Sequence, residues 1–191
     1  VQTTAGDKSN FSDESYAASG AEIFENTAEI ANADIVIKVN KPTNEEISSM
    51  KDGALFIGSL DPYNSNETIS NLKEKGVTSF AMELMPRITR AQSMDILSSQ
   101  SNLAGYKAVI DATHLFNKAM PMMMTAAGTI APAKVMVFGA GVAGLQAIAT
   151  AKRLGAIVSA TDVRMAAKEQ VESLGGKFVM VEDDETQDAE T

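Results

Sequence analysis

The sequence predicts an α/β fold built from two units, each with a parallel sheet. In residues 33–83, short runs rich in β-branched residues alternate with amphipathic stretches, as expected when strands and helices alternate. From residue 134 onward the pattern becomes strand, glycine-rich turn, helix, strand, helix and strand. The chain has 191 residues, 45% of them hydrophobic, which is sufficient for one large domain or two small ones.

The first unit is predicted from three buried strands over residues 33–39, 54–59 and 77–83. Between them, the patterns predict a short helix that ends near Met50 and a longer one over 66–75, ended by Gly76. Thr43 or Asn44 has the right residue type to cap the first of these helices. We expect a flavodoxin-like α/β domain that is truncated at its start, because a further strand and helix would normally precede it.

A connecting region follows this sheet. Thr89 and Gln92 have capping-box spacing, so a short helix is predicted from Thr89 to about Ser98. A longer helix is predicted over 102–118, and a linker over 119–133. The predicted organisation is therefore an N-terminal domain over 1–118 that includes this connecting helix, the linker, and a C-terminal domain over 134–191.

The C-terminal pattern predicts one βαβαβ half of a doubly wound, Rossmann-type sheet that would continue beyond Thr191. Its strands are expected at 134–138, 157–161 and 178–181, and its helices at 142–154 and 166–174. The chain opens with Val1 rather than Met and closes in the polar run 182–191, so we expect both domains to be incomplete. The acidic end of this run is expected to be a solvated surface segment.

The turn after the strand at 134–138 matches G-x-G-x-x-G and reads GAGVAG. In that motif Gly139 permits the tight turn, Gly141 lets the backbone approach a pyrophosphate, and Gly144 lets the helix pack against the strand. The unpaired N–H groups at the start of the helix, and the helix dipole, then face the anion. Because a strand precedes the loop and a helix follows it, this context favours dinucleotide binding over a structural turn.

The second strand of this pattern ends at Asp162, 23 positions after Gly139. An acidic residue at this spacing is expected to accept hydrogen bonds from the adenosine ribose, and its charge would repel a 2′-phosphate. NAD(H) is therefore favoured over NADP(H). Arg164 complicates this preference, because a nearby arginine can accommodate that phosphate, although it is also typical of a helix cap or a surface charge.

Composition excludes several classes of function. A net charge of −9 argues against general nucleic-acid binding, so no nucleic-acid partner is expected. The absence of cysteine excludes thiolate chemistry and cysteine metal sites, and a single histidine, His114, argues against a histidine metal cluster. No metal site is predicted. No apolar run is long enough to span a bilayer. His114 is expected to be a half-buried packing residue of the long helix.

The segment from Met85 to Asp95 reads MPRITRAQSMD and places two arginines, a glutamine and an aspartate around a helix start. An arginine fork and a glutamine amide can together hold a carboxamide or a pyrophosphate. By spacing alone, however, a capped surface helix with charge pairs is the favoured interpretation.

Two stretches resemble domain I of the proton-translocating nicotinamide nucleotide transhydrogenases, within the alanine dehydrogenase/transhydrogenase family. They are residues 86–106, PRITRAQSMDILSSQSNLAGY, and residues 121–164, which contain the glycine loop and Asp162. The resemblance covers nearly the whole chain and is greatest to the separate alpha-type subunit of bacterial members. It reverses the interpretation of the Met85–Asp95 segment, which in that family lies beside the nicotinamide.

The resemblance assigns residues to both ends of the cofactor. It implies that the nicotinamide is positioned by Arg87, Gln92, Asp95 and Ser98. It implies that the same loop is lined by Ile88, Thr89, Ser93 and Met94. The family's phosphate contacts fall on Ala140, Gly141 and Val142, and its adenosine contacts fall on Asp162, Val163 and Arg164.

The resemblance also implies an activity. NADH on this domain would pass a hydride directly to NADP⁺ on a partner domain, and a membrane domain would couple that step to proton translocation. This chemistry requires proximity and orientation but no general acid. The implied setting is a homodimer of the intact domain, cytoplasmic and peripheral to the inner membrane.

Two other functions remain open. Alanine dehydrogenases share the fold and the glycine loop, but they carry a lysine in K-V-K-E-P where this chain has Asn40 in K-V-N-K-P, and a histidine near the position of Leu60. Lys38 is present, but a lysine that ends a strand usually extends to solvent. The other alternative is a non-catalytic NAD-binding module.

Overall fold

The computed structural model describes residues 1–180, and the chain forms two compact units, Val1–Asp95 and Ile96–Thr191. Both are α/β units with a three-stranded parallel sheet, so the predicted fold class is confirmed. The polar run predicted over 182–191 lies outside the described residues. No helix within residues 1–180 has the length and apolar character needed to cross a bilayer.

The first unit alternates strands and helices after an irregular start. The helices and strands are α1 (Asp13–Ala18), β1 (Ile35–Lys38), α2 (Asn44–Ser49), β2 (Leu55–Gly58), α3 (Asn66–Glu74) and β3 (Thr78–Ala81). The sheet has the order β1-β2-β3, with all neighbours parallel. Short 3-10 helices lie at Asp7–Ser9, Thr27–Asn32, Met82–Leu84 and Thr89–Met94.

Local sequence explains why α2 begins where it does. The Thr43 hydroxyl accepts the Glu46 N–H at 3.2 Å, and the Glu46 carboxylate accepts the Thr43 N–H at 2.6 Å. This reciprocal arrangement satisfies two backbone donors that a helix start leaves unpaired. The central strand supplies the fully buried Phe56, which packs with residues of α2 and α3 such as Ile47 and Leu72.

The second unit contains the predicted βαβαβ pattern. Its elements are α4 (Ile96–Leu115), β4 (Met123–Thr125), β5 (Gly128–Ile130), β6 (Lys134–Phe138), α5 (Val142–Arg153), β7 (Ile157–Thr161), α6 (Ala167–Ser173) and β8 (Lys177–Phe178). The sheet has the order β6-β7-β8, with parallel neighbours. The core is formed by α5, α6 and the buried face of the sheet, including Ile148, Val158 and Val171.

The long helix α4 packs closely on α5. A Cβ added at Gly105 of α4 would lie 2.0 Å from the carbonyl oxygen of Ala143, so only glycine permits this approach. This packing makes α4 part of the second unit, whereas the sequence pattern predicts that residues 102–118 belong to the first domain. The limits 1–118, 119–133 and 134–191 remain a prediction of domain organisation.

Residues 119–133, expected to be a linker, contain the antiparallel hairpin β4–β5. Both ends of the stretch are anchored, because Met120 and Ala133 are buried in the core of the second unit. The Ala133 N–H donates to the Met120 carbonyl at 3.0 Å, and Ile157 of β7 donates to the Ala133 carbonyl at 2.8 Å. Long-range backbone pairing of this kind leaves no turn or periodicity signal in the sequence.

The helix predicted at Thr89 requires a correction. Residues Thr89–Met94 form a 3-10 helix, the residue before it is Ile88, and the Thr89 hydroxyl makes no capping bond. Asp95 then has an extended backbone, with φ −76° and ψ 94°, and α4 begins at Ile96 rather than at residue 102. The extended backbone at Asp95 separates the 3-10 helix from α4, whereas the sequence predicts one helix across this residue. The 3-10 hydrogen-bond pattern satisfies the backbone before Asp95.

Candidate functional site

The glycine loop lies at the carboxyl ends of β6 and β7. Gly139 follows β6 with φ +92°, in the region that favours glycine, and its N–H donates to the Thr161 carbonyl at 2.8 Å. Helix α5 then begins at Val142, with Gly141 before it and no side-chain cap. The carboxyl edge of a parallel sheet is where open α/β folds bind ligands.

The other two glycines of the motif are required for different reasons. A Cβ added at Gly144 would lie 1.8 Å from the carbonyl oxygen of Gly139, so the start of α5 could not pack against the loop. Among residues 1–180, a Cβ added at Gly141 would meet no atom within 4 Å apart from its chain neighbours, so it would project into open space. Gly144 therefore serves the fold, whereas Gly141 keeps a surface bare at the start of a 12-residue helix.

Asp162 ties the end of β7 to the glycine loop. Its Oδ2 accepts the Ala140 N–H at 2.6 Å, and its Oδ1 accepts the Arg164 N–H at 2.8 Å. The Asp162 side chain is only 7% exposed. The acidic residue that the spacing predicted is thus brought to the loop, with one carboxylate oxygen engaged by each of two backbone segments.

The guanidinium of Arg164 also binds this carboxylate, through Nε at 3.0 Å and Nη2 at 3.1 Å. These side-chain hydrogen bonds, with help from the N–H groups of Arg164 and Ala140, hold the pKa of Asp162 well below its usual range against the opposing effect of burial. Asp162 in turn raises the pKa of Arg164. At neutral pH the pair is therefore an ionised carboxylate with its guanidinium partner.

The remaining predicted cofactor residues of this unit surround the pair. Ala140 is buried, Val142 is exposed at the first turn of α5, and Val163 is exposed between Asp162 and Arg164. The structure thus brings the predicted phosphate and adenosine residues together at one edge of one sheet.

The Arg-Gln-Asp segment of the first unit is mainly a surface. Only Ala91 of its 3-10 helix is buried, and it anchors the turn. The exposed predicted residues are Arg87, Ile88, Thr89, Gln92, Ser93 and Met94. Asp95 and Ser98 are partly buried, and Ser98 lies on α4 in the second unit.

The residues relevant to an alanine dehydrogenase have other partners. Lys38 donates to both oxygens of Glu46 at 2.6 Å, so this lysine is held by the capping glutamate of α2 instead of extending to solvent. Asn40 stands where the resemblance predicts a lysine in an alanine dehydrogenase. His114 is exposed on α4, which corrects the half-buried position expected for it.

Glu83 makes long-range backbone contacts that the sequence did not indicate. One of its oxygens accepts the N–H groups of Leu60, at 2.8 Å, and Asp61, which fixes the chain after β2. Burial raises the pKa of Glu83, but the backbone N–H donors outweigh it and lower the pKa overall. Its second oxygen is buried and makes no hydrogen bond within residues 1–180. In the sequence, the only sign of these contacts is that Glu83 is an acidic residue near the end of a strand.

Comparisons with known proteins agree with this geometry. Residues 1–104 match the family model for the alanine dehydrogenase/PNT N-terminal domain, and residues 108–191 match that for its C-terminal domain. The chain is 54% identical to the first of the separate parts of NAD(P) transhydrogenase subunit alpha in Rhodospirillum rubrum, over 100% of this chain and 51% of that protein. It is 32% identical to alanine dehydrogenase 2 of Staphylococcus aureus, over 92% of this chain and 48% of that protein.

A solved structure extends the comparison to three dimensions. The transhydrogenase from Sinorhizobium meliloti superposes with a TM-score of 0.93 at 59% identity, over 98% of this chain and 54% of that one. The chain thus spans about half the length of the relatives it matches. With both family models matched in order along the sequence, the chain belongs to the alanine dehydrogenase/PNT family.

Proposed function

We propose that this chain is part of the NAD(H)-binding component of a proton-translocating NAD(P) transhydrogenase. The observation that carries the proposal is the bare backbone at Gly141, beside a carboxylate, Asp162, that is tied to the same loop. The relatives named NAD(P) transhydrogenase subunit alpha support the choice of enzyme.

The residues of the second unit suit the adenosine half of NAD(H). The N–H groups of Gly141 and Val142, at the start of α5, would face the pyrophosphate, where the helix dipole favours an anion. The Ala140 N–H is bonded to Asp162, so we propose that Ala140 shapes the loop rather than binding a phosphate. Asp162 would accept from the ribose hydroxyls, with Val163 and Arg164 beside the adenosine.

The polar segment of the first unit, together with Ser98 of α4, would serve the reactive end. Arg87, Gln92, Asp95 and Ser98 would orient the nicotinamide, and the exposed residues Ile88, Thr89, Ser93 and Met94 would line its surroundings. When bound, the nicotinamide supplies a hydride donor or acceptor that reacts directly with a second nicotinamide. The protein's task is then to align two rings, which needs no side chain of matched pKa.

The other half of the reaction is assigned to partners. We propose an NADP(H)-binding domain that receives the hydride and a membrane domain that moves the proton, with the intact NAD(H) domain as a homodimer. Its position would be cytoplasmic and peripheral to the inner membrane. Hydride transfer with a separately purified NADP(H)-binding domain, assayed without membrane, tests this assignment directly.

An alanine dehydrogenase is the second candidate, supported by the 32% identical relative. Against it, Asn40 replaces the family's lysine, and Lys38 is held by Glu46. Formation of NADH that depends on alanine would favour this candidate. If NAD⁺ binds but neither reaction occurs with all partners present, the chain is a non-catalytic NAD-binding module.

Titration of the intact protein with NAD⁺ and NADP⁺ tests the cofactor assignment. NAD⁺ should bind more tightly than NADP⁺, and Asp162→Asn should weaken NAD⁺ about tenfold, because hydrogen bonds to a charged acceptor contribute ~1.5–3 kcal/mol. Asp111→Asn is the matched control, because Asp111 is also an ion-paired carboxylate of this unit, with Lys107 on α4. Equal affinities for the two cofactors, or equal effects of the two variants, would contradict the assignment.

A further inference from the structure

The Asp162 carboxylate already has a full set of hydrogen-bond donors. Oδ1 receives the N–H and Nε of Arg164, and Oδ2 receives the Ala140 N–H and Nη2 of Arg164. A carboxylate offers about four acceptor positions in all. The ribose hydroxyls that the proposed function assigns to Asp162 therefore cannot add to these bonds and must replace some of them.

The four donors differ in what it would take to remove them. The Ala140 and Arg164 N–H groups belong to the backbone, and they orient the carboxylate whether or not the guanidinium is present. The guanidinium belongs to a side chain that is 52% exposed, against 7% for Asp162. A rotation of the Arg164 side chain would open two acceptor positions on the solvent side, without changing the loop.

We propose that Arg164 is a displaceable competitor for the ribose site: its guanidinium leaves Asp162 when the adenosine ribose binds. This inference rests on the proposed function. Two hydroxyl donors of the ribose match the two positions that the guanidinium gives up. Nucleotide binding then exchanges an intramolecular ion pair for hydrogen bonds, and the affinity for NAD(H) is lowered by the cost of breaking that pair.

The test is a calorimetric titration of the intact protein with NAD⁺. Arg164→Met keeps the aliphatic stem and removes the guanidinium, so NAD⁺ should bind about two- to fivefold more tightly, the range expected for a partly exposed ion pair. Arg153→Met is the matched control, because Arg153 ends α5, at the opposite end from the glycine loop, and is not among the four donors to Asp162, so it should leave the affinity unchanged. Arg164→Lys keeps the charge without the planar fork and should be intermediate.

A second ligand isolates the competition. With an NAD⁺ analogue that lacks the adenosine 2′-hydroxyl, fewer bonds to Asp162 are gained, so the improvement in Arg164→Met should shrink.

Weaker or unchanged NAD⁺ binding by both Arg164 variants would overturn the competitor role, while NAD⁺ binding by the wild type would still support the proposed function. Failure of the wild type to bind NAD⁺ would overturn the proposed function itself. Selective loss of NADP⁺ binding in Arg164→Met would assign Arg164 to a 2′-phosphate and overturn the competition.

Discussion

The two units present their predicted cofactor residues in different ways. In the second unit, the glycine loop is fixed by the hydrogen bonds from Gly139 to Thr161 and from Ala140 to Asp162, and Gly144 approaches Gly139 too closely for any side chain. In the first unit, Arg87 and Ile88 are exposed just before the 3-10 helix Thr89–Met94, in which Ala91 is the one buried residue. A candidate site formed within one βαβ unit depends on contacts inside that unit, whereas one made from exposed side chains depends on what those side chains meet.

The largest expected effect is on the fold of the second unit. Gly144→Ala would place a Cβ 1.8 Å from the carbonyl oxygen of Gly139, a backbone atom that cannot rotate away. We expect a loss of roughly 3 kcal/mol, the upper end for overpacking, and loss of NAD⁺ binding with it. Chemical denaturation of the intact protein measures the first effect. Wild-type stability in this variant would show that the loop relaxes easily and that Gly144 is not a packing residue.

Gly141→Ala should separate binding from folding. Its Cβ meets no atom of the described residues within 4 Å apart from its chain neighbours, so the stability should change by less than ~0.5 kcal/mol. NAD⁺ affinity should fall about tenfold or more, because the methyl group would hold the pyrophosphate away from the helix start. Calorimetry and denaturation of the same preparation check both halves. Unchanged affinity would remove the bare backbone as the phosphate site.

The first unit should respond in the opposite way. Arg87→Ala should lower the rate of hydride exchange about tenfold or more through loss of ring alignment, while NAD⁺ affinity, which we assign mainly to the second unit, changes much less. Arg90→Ala is the matched control, because Arg90 is a neighbouring exposed arginine, within the 3-10 helix that follows Arg87, and has no assigned role. Stopped-flow exchange with the NADP(H)-binding domain provides the rate. Identical behaviour of the two variants would mean that general charge, not a specific contact, is responsible.

The smallest expected effect compares two threonines with the same local pattern. Thr43→Ala removes a hydroxyl that caps α2 and should cost about 1 kcal/mol. Thr89→Ala removes a hydroxyl that makes no capping bond and should cost less than ~0.5 kcal/mol. Hydrogen exchange of the amides in each helix measures both locally. Equal losses would show that Thr89 caps a helix after all.

These threonines also show how far local patterns can be trusted. Thr43-x-x-Glu46 and Thr89-x-x-Gln92 are both capping-box sequences, yet only the first forms the box. Glu46 is held in place by Lys38 at the end of β1, a contact between separate elements, whereas the second segment is interrupted by the extended residue Asp95. Local patterns also predict a linker where residues 119–133 contain a hairpin. The ends of this stretch are anchored by core contacts of Met120 and Ala133, which are contacts between separate elements.

The sequence by itself determined the order of the main strands and helices in residues 33–83 and 134–178 and the position of the glycine loop. Gly139, Gly144 and Asp162 are set by backbone geometry within one βαβ unit, so their spacing is enough to predict the turn and its acidic neighbour. The binding role of Gly141 stays a prediction. Only the tertiary structure decided that Arg164 and Ala140 saturate Asp162, and that Gly105 packs on Ala143. Those contacts depend on where separate segments meet and which donors reach one acceptor. A linear pattern does not encode such distances.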